Sequence, residues 1–182
     1  WSPGSAQSLS LIVSDDYGSW GMCSAFVLVN PTPGTGSIAV TGLADAYEDS
    51  VMYVFVASGV NQSTPTSDAA GDSAGTGTSK TLSIANMTAA DLAVAAISID
   101  NDTPSLSITN GNNIGADSID FVTNWTDAGA AYNTGTGTVD IVFGKATANG
   151  GALKFRIVGS GGGTSVSMLD YSITKMLSFL AR

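Results

Sequence analysis

The sequence predicts an all-β chain: an antiparallel two-sheet β-sandwich of jelly-roll-like form. Three observations carry this expectation. About ten short apolar or alternating runs are separated by Gly, Asn, Asp and Pro turns. Charged residues make up only 12%, too few to wet the outer faces of helices. The 22 glycines, with abundant Ser and Thr, supply turns and hydroxyl-rich strands. At 182 residues the chain can bury one substantial core and is expected to form a single domain, residues 1–182.

The first strand is expected at residues 8–13, closed by Asp15-Asp16-Tyr17-Gly18. Residues 25–29 are continuously apolar and end at Asn30-Pro31-Thr32-Pro33-Gly34-Thr35-Gly36, where two prolines and two glycines force a turn. Residues 37–41 then alternate, with Ile38 and Val40 on one face, which makes a hairpin. It feeds residues 51–57, VMYVFVA, whose β-branched and aromatic side chains predict a central strand buried on both faces. Between them Asp45, Glu48 and Asp49 form an acidic loop.

Residues 61–80 nearly lack large apolar side chains and predict a long loop, or two loops around a polar edge strand. Alternation returns at residues 81–85 through Leu82 and Ile84. Thr88-Ala89-Ala90-Asp91 spells a helix capping box. Residues 92–99, however, hold no Lys, Glu or Arg to form a wet helical face, and Ile97 and Ile99 alternate into Asp100, so a strand after a short turn is expected. Residues 105–109, 119–125, 139–143 and 153–158 add four strands, the last alternating Leu153, Phe155 and Ile157 with Lys154 and Arg156. Residues 159–163 read as a flexible joint and residues 166–173 as the last strand.

The end of the chain has a different pattern. Ile173, Met176, Leu177 and Leu180 fall at i, i+3, i+4 and i+7, with Lys175 and Arg182 off that stripe. So short a segment is not stable as a lone helix, and residues 174–182 are expected to be a docking tail that buries its stripe on a neighbouring subunit.

The formal net charge is −9 and no Lys or Arg precedes Lys80. A surface of that sign repels phosphate backbones and anionic lipid heads, so neither nucleic acid nor a membrane is an expected partner. No apolar run approaches the ~20 residues that cross a bilayer as a helix. The single cysteine, Cys23, excludes an intrachain disulfide and, lying at the start of an apolar run, is expected to be a buried, inert thiol.

Letters that spell chemistry lack its other parts. Gly71-Asp72-Ser73-Ala74-Gly75 matches the G-x-S-x-G nucleophile elbow, but that motif needs a histidine base and the chain contains no histidine. The same absence removes the usual zinc and non-haem iron sites. Gly159-Ser160-Gly161-Gly162-Gly163-Thr164 lacks the lysine of a phosphate loop. Asp100-Asn101-Asp102 and Asn110-Gly111-Asn112-Asn113 offer oxygen ligands without the spacing of a calcium loop and read as Asx turns. Catalytic, metal and cofactor sites are therefore not expected. Tyr17 and Trp20, beside Gly18 and Gly21, are the candidates for loop aromatics that stack on a glycan.

Leu28-Val29-Asn30-Pro31 leading into a Thr-Gly turn, then Val54-Phe55-Val56 followed by Ser58-Gly59-Val60-Asn61-Gln62-Ser63-Thr64-Pro65, resembles a family of β-sandwich domains. These occur in bacteriophage virion proteins and in large secreted bacterial surface proteins, with a recurring "NPPTGT … SGVDQ-TP" pattern. The likeness is clearest over residues 26–65, and Asn61 stands where the family more often has Asp. Such domains usually carry more residues ahead of the Asn-Pro turn, which leaves room for an N-terminal piece before Trp1.

The resemblance implies a virion or extracellular location and a non-catalytic structural role in an assembly, such as capsid decoration, a fibre or a tail. Its partners would be itself and other subunits, with Ile173, Met176, Leu177 and Leu180 as the assembly contact. The alternative is a carbohydrate-binding or adhesin module of a secreted bacterial surface protein, using Tyr17 and Trp20 on a cell-surface glycan.

Overall fold

The computed structural model describes residues 7–17, 22–32, 38, 52–100, 106–117, 126–145 and 147–168. Twelve strands are present among them, all pairs antiparallel, and no helix. They are β1 (Ser10–Asp16), β2 (Met22–Val27), β3 (Phe55–Ser58), β4 (Thr66–Gly71), β5 (Ser79–Met87) and β6 (Leu92–Asp100), followed by β7 (Ser107–Asn110), β8 (Asn112–Asp117), β9 (Thr126–Asn133), β10 (Gly137–Gly144), β11 (Gly150–Ile157) and β12 (Ser165–Met168).

A five-stranded sheet, in the order β4-β11-β6-β9-β8, lies at the centre. Its first face packs on a three-stranded sheet, β5-β10-β7. There Ala93, Ala95, Ile97 and Ile99 of β6 meet Leu82 and Ile84 of β5 and Ile141 and Phe143 of β10 in one buried cluster. This is the sandwich, with inward residues alternating along each strand. The second face carries Leu92 and Val94 of β6 and Leu153, Phe155 and Ile157 of β11, and two ribbons cover it. β1 with β2 supplies Ile12, Val13, Cys23 and Ala25; β3 with β12, and the chain beside them, supplies Tyr53, Phe55, Ala57 and Val60.

The pairings nest. β4 pairs with β11, β5 with β10 and β6 with β9, and the chain turns back between β7 and β8. At that turn it passes from the smaller sheet to the larger through Gly111, whose φ of 130° is open to glycine and to few other residues. Asn110 and Asn133 each donate an Nδ2–H to the carbonyl of Asp140, tying both sheets to β10 at this corner.

The central strand is β6 and not residues 51–57. Phe55–Ser58 is a four-residue strand in a two-stranded ribbon paired only with β12, and its side chains are half-buried or exposed. β6 takes the middle because it is apolar on both faces and carries alanines where neighbouring layers come close. The capping-box letters form the predicted turn: Asp91 N donates to Thr88 O, while the Asp91 carboxylate accepts from Thr88 N and Oγ1. Residues 61–80 do contain a polar edge strand, β4. The expected strands at residues 37–41 and 119–125 lie outside the described residues, as does residue 51.

Candidate functional site

The buried charges come first, since an ion held away from water needs a reason. Asp91 is 4% exposed. Its Oδ1 accepts from Gly159 N at 2.9 Å and its Oδ2 from Thr88 N at 2.8 Å, with Arg156 Nη1 at 3.8 Å. Burial alone would push this carboxyl up. The N–H groups of Gly159 and Thr88, the Thr88 hydroxyl and the Arg156 guanidinium outweigh it and hold it below the ordinary 3.8.

Arg156 is positioned by a bulge. Between the pairs Arg156↔Ser67 and Lys154↔Ala70, β4 spends two residues where β11 spends one, and Asp68 there adopts a φ of 49°. The bulge aims Asp68 Oδ2 at Arg156 Nη2, 3.1 Å away, while Arg156 Nε donates to Ser67 Oγ and Nη1 to Asn86 O. The cluster joins β4, β5, β11 and the 88–91 turn, and these bonds end on backbone groups and neighbouring side chains.

Lys145, 5% exposed, sits at the other end of the sandwich. Its ammonium donates to the carbonyls of Gly75 and Ala148, both at 2.7 Å. Burial, and then the charge of Lys80, lower its pKa from the ordinary 10.5. Lys80 itself pairs with Asp72 at 2.7 Å. The G-x-S-x-G letters fall here: Gly71 ends β4, Ala74 N donates to Gly150 O, and Gly75 lends its carbonyl to Lys145. The motif forms a loop that closes the sandwich end, and no helix follows it.

The β1–β2 ribbon presents the third feature. Its inner residues pack on the large sheet, and the Asp15 carboxylate accepts from Ala152 N at 2.9 Å, fixing the ribbon to β11. A bulge at Ile12, between the pairs Leu11↔Phe26 and Val13↔Ala25, reverses which face the later residues of β1 present. As a result Leu11 and Phe26 stand opposite each other on the outer face, 58% and 55% exposed, with Met22 and Leu9 also exposed.

Of the sequence-expected residues, Tyr17 follows β1 and is half-buried, and Trp20 lies outside the described residues. Ile173, Met176, Leu177 and Leu180 lie outside them too, so the structure does not bring the two groups together. Asn61 is an Asx turn: its Oδ1 accepts from Ser63 N and Thr64 N. Among the described residues no three of His, Cys, Asp and Glu are grouped to hold a metal. Among them, too, no helix is long and apolar enough to cross a membrane. The outer face of β1–β2 was legible only in part. Leu9, Leu11, Met22 and Phe26 are visible as apolar residues, but the bulge that turns the two leucines outward leaves no mark in the letters.

No family model matches the chain, and neither a curated protein nor a solved structure matches it.

Proposed function

We propose that the protein is a non-catalytic structural component of an extracellular assembly, a bacteriophage virion protein of the capsid-decorating, fibre or tail kind. The observation that carries this reading is the apolar outer face of β1–β2. Large apolar side chains opposite one another and more than half exposed are an unfavourable surface for a free monomer and a favourable one for a subunit. The nested pairing of β4 to β11 supports it further. We take that pairing as a jelly-roll, an architecture that viral capsid domains use, and this support is fold-level analogy. The use of Asp91, Arg156 and Lys145 in holding backbone groups in place favours a structural role over a reaction.

The test is assembly itself. Light scattering and electron microscopy of the purified chain over a concentration series should show regular higher-order particles. A species that stays monomeric and binds glycans on an array, with binding lost in Tyr17→Ala, would replace this reading with the carbohydrate-binding one.

A further inference from the structure

We propose that the outer face of the β1–β2 ribbon is the seat for residues 173–182 of a second copy of this chain; this rests on the assembly reading above and names its contact. The seat is a cross-strand row: Leu11 opposite Phe26, then the Ser14–Ser24 hydroxyl pair at 2.9 Å, then Asp16 opposite Met22. It is apolar at one end and acidic at the other. The ribbon holds Asp15 and Asp16, and no base precedes Lys80.

An occupant that fits must bring apolar side chains and positive charge. Within this chain Lys80 faces Asp72, Arg156 faces Asp68 and Asp91, and Lys145 is buried on carbonyls. Residues 171–182 carry Lys175 and Arg182 and no acid, in an otherwise strongly acidic chain. They also carry the stripe of Ile173, Met176, Leu177 and Leu180. Charge and apolar content both match the seat.

Chain length favours a second copy. β12 ends at Met168, paired with Phe55 in the neighbouring ribbon of the same layer. The five Cα steps to Ile173 reach at most about 17 Å. A return to the outside of β1–β2 has to cross strands about 4.8 Å apart and leave a layer about 10 Å thick, which uses up that reach. A neighbour's tail has no such limit. A tail-to-face contact is head-to-tail, so it propagates into rings or filaments.

The experiment uses two full-length variants, Phe26→Asp (seat blocked, tail intact) and Leu177→Asp (tail blocked, seat intact), each checked for native circular dichroism. Sedimentation velocity over a concentration series should show the unmodified chain growing in mass and each variant associating about tenfold more weakly or less. Mixing the two variants should restore association but stop it at a heterodimer, because only one good seat and one good tail remain. If the unmodified chain assembles and Phe26→Asp assembles equally well, the seat is wrong while the assembly reading stands. Loss in both variants without rescue on mixing overturns the tail-to-face contact. A chain that stays monomeric throughout overturns both the seat and the assembly reading.

Discussion

Gly159 and Asp91 are 68 residues apart in sequence, yet the Gly159 N–H donates to Asp91 Oδ1 at 2.9 Å and anchors the chain leaving β11 to the turn entering β6. The carboxylate also accepts from Thr88 N, so removing it strands buried donors. Asp91→Ala should cost about 3–5 kcal/mol in urea unfolding, the range for breaking a buried ionic network from one side. A loss below about 1 kcal/mol would show that water replaces the carboxylate.

The same residue sets an acid limit. Its folded pKa lies below the ordinary 3.8, so its stabilisation is complete above that value and is lost as pH falls through it toward the folded one. Unfolding free energy should therefore drop on acidification below about pH 4. Asp91→Asn should flatten that drop, so the gap between variant and unmodified chain narrows as pH falls. A gap independent of pH would show that Asp91 does not titrate differently on folding.

Two phenylalanines separate the sandwich from its outer ribbon. Phe143 is fully buried in β10 between the two sheets, whereas Phe55 is a half-buried member of the two-stranded β3–β12 ribbon. Phe143→Ala should cost about 3–5 kcal/mol. Phe55→Ala should cost less than about 2 kcal/mol, since only part of that side chain leaves water on folding. Equal losses in thermal unfolding would restore residues 51–57 to the core.

The sandwich was legible where side chains alternate by size and polarity, as in Leu82 and Ile84 of β5 or Leu153, Phe155 and Ile157 of β11. It was illegible where a strand is built from small residues. β9, TDAGAAYN, has no large aliphatic side chain, yet it is an interior strand of the five-stranded sheet. Its Gly129 lies where an added Cβ would come within 2.7 Å of Leu106 Cδ2, so the space that a β9 side chain would fill is taken by a residue from outside the strand. Residues 51–57 misled for the opposite reason: a doubly apolar run can lie in a ribbon with a partner on one side only. The polar network escaped because Arg156 and Asp68 meet through a β-bulge, and bulges, like the one at Ile12, change register without changing composition.

Two glycines should respond in opposite ways to alanine. Gly150 opens β11 against Ile99, and a Cβ there would run into the backbone carbonyl of Ser98. Gly150→Ala should cost about 1–3 kcal/mol by forcing two strands of the central sheet apart. At Gly162 a Cβ meets nothing within 4 Å and φ is not in the left-handed region, so Gly162→Ala should be neutral or stabilise by up to about 1 kcal/mol. Denaturation midpoints of the two variants on the same side of the unmodified chain would contradict this.

Cys23 lies on the inner face of β2, opposite Asp15 in register and packed on the second cluster. Burial, and then the Asp15 charge, push its thiol up to about 12. At pH 8 that leaves roughly one thiolate in ten thousand, against about a quarter for an unperturbed cysteine near 8.5. Alkylation of the folded chain at pH 8 should therefore run about a thousandfold slower than in denaturant, where the thiol regains its ordinary acidity. Asp15→Asn keeps an oxygen for Ala152 N and removes only the lesser of the two causes, so it should speed the folded reaction modestly and leave the denatured rate unchanged. Labelling of the folded chain as fast as the unfolded one would place the thiol in water and show that the β1–β2 ribbon opens from the sheet faster than the reagent reacts.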